Sequence, residues 1–184
     1  MIYPIFVYGQ PVLRKVAQEI EKDRPNFQQF VQNMFETMEK SDGVGLAAPQ
    51  VGESLRLFVI DGSAFAKDDP TMDGFRRAFV NAKIYETSGE NTVFNEGCLS
   101  LPGIREDITR KSIIKMTYYD ENFELHDETF EGLRARVIQH EYDHLEGKLL
   151  IDHVNPLKRK LLKRKLNDIS KGIVDIDYKI KIVK

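Results

Sequence analysis

Strand patterns follow one another without an intervening helix through the middle of this sequence, and this constrains the fold most. Residues 57–60 form an apolar run typical of a buried strand. Residues 78–84 and 114–118 alternate apolar and polar side chains, and the turn at residues 120–122 predicts a hairpin into residues 123–125. Since strands and helices do not alternate as βαβ units, we expect an α+β fold with mixed or antiparallel strands.

Two segments show the apolar spacing of amphipathic helices. The first covers residues 27–38 and ends at the Ser-Asp-Gly sequence of residues 41–43. The second runs over about residues 130–146, with Thr129 as its expected N-cap and Gly147 just after its C-terminus.

A third predicted helix, residues 156–171, lies in a basic part of the chain. Asn155 is its expected cap, and Gly172 ends it. Its predicted apolar stripe consists of Leu157, Leu161, Leu162, Leu166 and Ile169. Residues 153–184 hold ten lysines and arginines against three aspartates, although the whole chain has a formal charge of −2. This asymmetry suggests either a nucleic acid contact or, more commonly, a solvated helix face.

The C-terminal residues 173–184 alternate apolar and charged side chains. This pattern predicts a strand that pairs with a sheet edge or with a partner chain.

Length and composition narrow the class of protein. A chain of 184 residues is expected to form a single domain, residues 1–184. The only cysteine, Cys98, excludes an intrachain disulfide and favours a reducing compartment. The N-terminus lacks the features of a signal peptide, and no apolar stretch approaches the ~20 residues of a membrane helix. We therefore expect a cytoplasmic protein.

The second helix contains the sequence His140-Glu141-Tyr142-Asp143-His144, an H-E-x-x-H motif. Residues four apart share a helix face, so both imidazoles can bind one metal ion, and Glu141 is placed to reach a metal-bound water. A capped, purely structural helix surface is the alternative interpretation of this motif alone.

A catalytic metal site with one open position needs a third protein ligand. The candidates are Cys98, His126 and His153, and we interpret both histidines as ordinary, partly exposed side chains. Cys98 lies in a segment whose path is restricted by Gly97, Pro102 and Gly103. A lone cysteine is often simply a small buried side chain, so its role as a ligand remains one of two interpretations.

A third stretch, residues 43–50, reads Gly-Val-Gly-Leu-Ala-Ala-Pro-Gln. Its small residues allow close approach of another backbone, and Gln50 offers an amide donor. It could equally be a turn between the first helix and the strand at residues 57–60.

Taken together, the three stretches resemble the signatures of the peptide deformylase family. These signatures are G-x-G-L-A-A-x-Q, E-G-C-L-S and Q-H-E-x-D-H-L, and they correspond to residues 43–50, 96–100 and 139–145 in the same order. The resemblance implies a central metal-binding helix carrying H-E-x-x-H. It also implies a metallohydrolase that removes the formyl group from N-formylmethionyl nascent chains and releases formate.

The resemblance also implies roles for individual residues. The metal ligands correspond to Cys98, His140 and His144. Glu141 corresponds to the general acid/base for attack of a metal-bound water on the formyl carbonyl, while Gln50 and the backbone N–H of Leu99 correspond to oxyanion donors. Ferrous iron is the expected metal in the cell, with zinc or nickel as alternatives in purified protein.

The expected substrate-binding residues surround this centre. Gly45 corresponds to a backbone contact with the peptide. The expected walls of a pocket for the methionine side chain are Val44, Phe94, Leu133 and Val137. Arg105 corresponds to a family arginine and is expected to pair with Glu96. Arg136 shares the metal-facing side of the helix, where we expect it to contact the peptide backbone or an acidic neighbour.

The expected partners are N-formylmethionyl peptides and, through the basic helix 156–171, the ribosome, with no membrane or DNA partner. Two other hypotheses stay open from the residues alone. Cys98 could be the nucleophile of a metal-free thiol enzyme with a histidine as base. The cysteine and histidines could also form a closed structural site in a binding module, with His126 as the fourth ligand.

Overall fold

A computed structural model describes residues 1–182 and shows an α+β fold. The strands are β1 (Ile5–Phe6), β2 (Gly45–Ala47), β3 (Leu57–Asp61), β4 (Arg76–Gly97), β5 (Arg105–Tyr119), β6 (Leu125–Glu131) and β7 (Ile180–Lys181). The helices are α1 (Phe27–Lys40), α2 (Gly132–Leu145), α3 (Pro156–Leu161) and α4 (Lys163–Ser170), with several short 3₁₀ turns between elements.

The main sheet is antiparallel, with the order β2-β3-β4-β5-β6, and helices cover both faces of its centre. Strand β3 shows why: Phe58 and Ile60 pack in a cluster with α2, whereas Leu57 and Val59 pack in a second cluster with α1. A strand buried on both faces reads as a continuous apolar run, so the prediction for residues 57–60 is confirmed.

Strands β4 and β5 form a long hairpin that extends beyond the rest of the sheet. Their register shifts at three places, between Val80 and Lys83, between Ile84 and Glu86, and between Ser88 and Asn91. Such irregularities bend a strand and increase its twist. The predicted strands at residues 78–84 and 114–118 are parts of these much longer strands. The last pair of the hairpin, Gly97 with Arg105, lies beside the candidate site.

Helix α2 begins later than its sequence pattern predicts. Thr129 is paired with Lys115 inside β6, and Glu131 occupies the N-cap, so the expectation of Thr129 as cap was wrong. The alternating pattern of β6 continues directly into the helical pattern of α2, so the sequence alone places the start of the helix too early. At the other end Gly147 has a φ of 67°, the left-handed conformation expected after a helix C-terminus.

The predicted third helix is divided into α3 and α4 at Leu162, although its cap is confirmed by the bond from the Lys158 amide to the Asn155 side chain. The predicted apolar stripe is only half correct. Leu166 and Ile169 are buried, whereas Leu157 and Leu161 are 73% and 76% exposed. The buried part of the stripe therefore lies in α4, while the apolar side chains of α3 face water.

The C-terminal tail, which we define as residues 173–182, has little regular secondary structure. Only Ile180–Lys181 is a strand, and it pairs in parallel with β1. The predicted alternation is nevertheless visible, because the apolar side chains from Val174 to Ile182 are partly buried and the charged ones are exposed. Residues 183–184 of the predicted strand lie outside the described residues.

Within residues 1–182, none of the helices combines the length and apolar character needed to cross a membrane.

Candidate active site

Three side chains from two separate segments converge where the β4–β5 hairpin meets α2. Cys98 follows β4, while His140 and His144 lie one turn apart on α2. One ligand atom from each of the three lies within 4.8 Å of the others, and the Cys98 Sγ is 3.4 Å from the Nε2 of His144. One thiolate and two imidazoles at such distances suit a divalent ion with a position left for water.

The protonation tendency of the Cys98 thiol also suits metal binding. Burial alone would raise the pKa of the Cys98 thiol, but the charges of His144 and His140 outweigh it and lower the pKa to about 5. A thiolate is the form of cysteine that binds metals. The site thus keeps its sulfur ligand deprotonated at neutral pH.

Glu96 fixes the orientation of His140. Its Oε2 lies 2.9 Å from the His140 Nδ1, so the Nε2 atom remains for a metal. Burial raises the pKa of Glu96, but hydrogen bonds from His140 and Arg110 outweigh this and keep it well below its usual range. Glu96 is therefore a charged anchor behind the ligand.

Two buried arginines neutralise Glu96. Arg110 donates from Nε and Nη2 to its two oxygens at 2.7 and 3.0 Å, and its Nη1 reaches Asp143 at 2.8 Å. Arg136 donates to Glu96 at 2.9 Å and to the carbonyl of Thr92 at 2.6 Å. Arg136 thus contacts an acidic neighbour, as one of our two expectations stated.

Arg105 does not pair with Glu96, so that expectation was wrong. Its Nε and Nη2 atoms donate to the side chain and backbone of Asn95 at 2.9 and 2.6 Å. Arg105 lies opposite Gly97 in the hairpin, and therefore on the face that Gly97 shares with Asn95. Side chains alternate along a strand, so Glu96 points to the other face, together with Arg110.

Glu141 is buried against the backbone of Gly45. A Cβ atom added at Gly45 would lie 2.3 Å from a Glu141 oxygen, so only glycine leaves room for the carboxylate. Its Oε2 atom is buried and has no hydrogen-bond partner among residues 1–182, and burial raises the pKa of Glu141 to about 7. An otherwise unpartnered carboxylate beside the ligand cluster can accept and release a proton near neutral pH.

Gln50 presents its amide donors to the same place. Its Oε1 accepts from the Ala47 backbone at 2.9 Å, which directs Nε2 toward Ser100 Oγ at 3.2 Å and Cys98 Sγ at 3.7 Å. Leu99 follows Cys98 directly and lines the same cavity. Both proposed oxyanion donors therefore lie beside the ligand cluster.

A cavity of about 380 Å³ opens onto this cluster. Its lining includes most of the predicted site residues: Val44, Gly45, Gln50, Phe94, Cys98, Leu99, Arg105, Arg136, Val137, His140 and Glu141. Leu133 lies outside this lining and packs with the cluster between α2 and the sheet.

Several cavity residues were missed by the sequence reasoning, among them Phe65, Ile176 and Tyr178. Phe65, from a 3₁₀ turn after β3, packs edge-on against Phe94 at 6.4 Å between ring centroids. Ile176 and Tyr178 come from the C-terminal tail. Their position on the apolar side of the alternating pattern was visible, but nothing local indicated which surface that side would cover.

The other two histidines lie outside the cluster. His126 approaches Asp120 at 3.1 Å and stacks on Tyr118, and His153 approaches Asp143 at 2.7 Å. Within the described part of the chain, only one group of three histidine, cysteine, aspartate or glutamate residues is close enough to hold an ion. It consists of Cys98, His140 and His144. The closed four-ligand site that required His126 is therefore not formed.

The α+β fold and a helix-borne H-E-x-x-H beside a cysteine define the class of metal-dependent hydrolases. The sequence model described as polypeptide deformylase matches residues 2–160. The chain therefore belongs to the polypeptide deformylase family, whose members remove the N-formyl group from nascent peptides. Family membership agrees with the metal-dependent hypothesis rather than the metal-free thiol enzyme.

Individual relatives agree over nearly the whole chain. The peptide deformylase of Cytophaga hutchinsonii is 51% identical, with 98% of this chain and 97% of the relative covered. That of Christiangramia forsetii is 48% identical, with 98% and 96% covered. The crystal structure of a peptide deformylase from Legionella pneumophila matches with a TM-score of 0.80 and 37% identity, over 94% of this chain and 98% of that one.

Proposed function

We propose that Cys98, His140 and His144 hold the metal of a formyl hydrolase and that Glu141 is its general acid/base. The observation that carries this proposal is the approach of three ligand atoms within 4.8 Å, beside a buried carboxylate oxygen without a partner. A divalent ion held there would lower the pKa of a bound water and polarise the formyl carbonyl.

The remaining chemistry belongs to the chain's own side chains. Glu141 accepts a proton from the attacking water and delivers it to the leaving nitrogen of the methionine, so that the C–N bond breaks and formate is released. The Gln50 amide and the Leu99 N–H donate to the carbonyl oxygen as negative charge develops there. Removing one such donor typically costs about 3 kcal/mol of transition-state stabilisation.

The substrate lies in the cavity that these groups line. Val44, Gly45, Phe94 and Val137 are proposed to bind the methionyl end of the peptide, with Arg105 at the cavity wall and Leu133 supporting the helix from behind. Phe65, packed on Phe94, extends the apolar surface. Methionine is a flexible apolar side chain and fits such a lining.

Replacing Glu141 by glutamine tests the assigned role. We expect Glu141→Gln to lower kcat for formate release from a formyl-Met peptide by roughly 10²–10⁴-fold, because the proton acceptor is lost. One metal ion per chain should remain bound by elemental analysis. Glu131→Gln, the same change at the exposed start of α2, is the matched control. Full activity of Glu141→Gln would contradict the assignment.

We propose Fe²⁺ as the metal in the cell, with Zn²⁺ or Ni²⁺ replacing it during purification. The cysteine and histidine ligands accept all three ions, and Zn²⁺ binds intrinsically more tightly than Fe²⁺, so availability decides. Elemental analysis of protein purified without oxygen tests the identity. An iron–thiolate pair predicts that the iron form loses activity in air faster than the nickel form.

We further propose that residues 156–171 contact the ribosome. Lys160, Lys163 and Arg164 are exposed on α3 and α4, which suits a phosphate-rich surface. Co-sedimentation with ribosomes should then weaken steeply with salt, and replacing these three by glutamine should weaken it further. Replacing Lys22, Lys40 and Lys67 is the matched control. Association that does not depend on salt would contradict this contact.

Residues 1–184 are proposed to form one catalytic domain that acts in the cytoplasm. Limited proteolysis tests the first point, because a single domain should resist internal cleavage until it unfolds. Cell fractionation tests the second.

A further inference from the structure

The C-terminal tail reaches the candidate active site, although it lies beyond the residues that the family model matches. The match ends at residue 160, whereas Ile176 and Tyr178 line the cavity together with Cys98 and Glu141. A segment outside the shared signatures therefore supplies part of the surface that a substrate would meet.

The tail is held in place by its own bonds. The backbone amides of Ile5 and Val7 donate to the carbonyls of Lys179 and Lys181 at 2.8 and 3.3 Å. On the apolar side, Val174, Ile180 and Ile182 pack against a buried cluster that also contacts Cys98. These contacts fix the residues between them relative to the cavity.

Tyr178 makes the one side-chain bond from the tail to the cysteine segment, which we define as residues 98–101, within the described part of the chain. Its hydroxyl donates to the Leu99 carbonyl at 2.9 Å. Burial and the nearby Cys98 raise the pKa of Tyr178 to about 12, so the hydroxyl keeps its proton at neutral pH. The bond restricts the backbone of Leu99, whose N–H is proposed to donate a hydrogen bond to the oxyanion.

Other hydrogen bonds, one within the segment and two from outside it, hold the rest of the cysteine segment. The Leu101 amide donates to the Cys98 carbonyl at 2.9 Å, and the Tyr8 amide donates to the Ser100 carbonyl at 2.9 Å. Gln50 reaches the Ser100 hydroxyl at 3.2 Å. These bonds hold residues 98, 100 and 101, and Tyr178 holds the carbonyl of the residue between them.

We propose that the tail is part of the catalytic cleft. Tyr178 is a positioning residue that holds the Leu99 carbonyl and so restricts the backbone dihedrals of Leu99. Together with Ile176 it forms a wall against which the formylated peptide lies. The inference rests on the proposed role of the Leu99 N–H. It predicts that Tyr178 affects the rate of turnover and that Ile176 affects binding of the peptide.

The first test is Tyr178→Phe, which keeps the ring and removes the hydroxyl. Losing one neutral hydrogen bond should lower kcat roughly two- to tenfold while KM for a formyl-Met tripeptide stays within twofold. Amide hydrogen exchange of residues 98–101 should become faster, a readout independent of turnover. Tyr85→Phe, which loses an exposed hydroxyl bond to Asp127, is the matched control and should match the unmodified protein.

The second test is Ile176→Ala, which shortens the wall without touching the Leu99 bond. We expect KM for the tripeptide to rise roughly threefold or more, because apolar contact with the substrate is lost, with kcat retained. Ile173→Ala, an exposed position in the same tail, is the matched control. Melting temperature and metal content are measured for every variant, so that a folding defect is recognised.

The outcomes separate this inference from the proposed mechanism. Unchanged kcat and exchange in Tyr178→Phe, or unchanged KM in Ile176→Ala, overturns the inference. If Tyr178→Phe fails to fold, the KM of Ile176→Ala decides. Gln50→Ala in the same assay tests the oxyanion site itself. A large loss of kcat in Gln50→Ala, together with tail variants that behave like the unmodified protein, would support the proposed mechanism. It would contradict only the proposed role of the tail.

Discussion

Charged side chains occupy two contrasting regions of this molecule, the interior behind the candidate metal ligands and the surface of α3 and α4. Behind the ligands, Glu96, Arg110 and Arg136 are each about 5% exposed and are joined by hydrogen bonds. On α3 and α4 the lysines and arginines are exposed to water, including Lys158, which pairs with Glu106, and Arg159, which approaches Asp152 at 3.6 Å.

The difference shows what burial demands of a charge. A buried charge persists only when it is paired and hydrogen-bonded, so the interior group has strict geometry and orients His140. An exposed charge is already stabilised by water, so its pairs add little to stability and its field remains available to a partner. The same residue types therefore support a proposed catalytic centre in one place and form a proposed docking surface in the other.

The largest effect should come from breaking the interior group. Arg110→Ala leaves Glu96 and Asp143 with fewer counter-charges in a buried place, and we expect the free energy of unfolding to fall by about 3–5 kcal/mol. Urea denaturation at neutral pH measures it. Arg159→Ala, which breaks an exposed pair, is the control. Equal effects of the two substitutions would contradict the proposed difference between buried and exposed charges.

Within the basic helices, burial should matter more than residue type. Leu166→Ala removes a buried side chain and should cost about 2–5 kcal/mol of unfolding free energy. Leu161→Ala removes an equal number of atoms from a position that is 76% exposed and should cost less than about 0.5 kcal/mol. The same denaturation assay compares them. A large loss at Leu161 would show that α3 is covered by another surface in solution.

Acid should weaken the interior group selectively. The pKa values of Glu96 and Asp143 are lowered in the folded protein, despite burial, by hydrogen bonds and charges from His140, His153 and Arg110. Their contribution is therefore complete above the ordinary carboxyl pKa values of 4.5 and 3.8 and is lost as the pH falls toward the lowered folded values. We expect the free energy of unfolding to decrease between pH 5 and pH 3.

Urea denaturation at several pH values, with and without a chelator, measures this loss and separates it from metal release. Arg110→Ala should show a shallower pH dependence. Without Arg110, protonation of Glu96 and Asp143 breaks fewer stabilising ion pairs. A constant free energy of unfolding over this range would contradict the role of the interior charges.

The smallest effect on stability is expected on the surface of α4. Lys163→Gln should leave the denaturation midpoint and deformylation of free peptides unchanged, because the side chain is exposed. If the basic surface contacts ribosomes, the same variant should nevertheless bind them more weakly at low salt. A shifted midpoint would show that this charge has a structural role.

Much of this arrangement followed from local patterns. The spacing of His140 and His144 placed both imidazoles on one helix face, and the apolar run at residues 57–60 predicted a buried strand. The error at Arg105 has a definite cause. The family resemblance led us to expect that Arg105 pairs with Glu96, but the hairpin register places Arg105 opposite Gly97, and alternation then turns the two side chains to opposite faces.

The sequence by itself determined the chemical groups and the local elements that carry them, because helix periodicity, strand alternation and motif spacing act over a few residues. Only the tertiary structure decided which distant segments meet. The approach of Cys98 to α2, the buried partners of Glu96 and the tail beside Leu99 depend on strand register and on packing between remote segments. Those contacts arise from burying shared surfaces, and no short stretch of sequence records its partner.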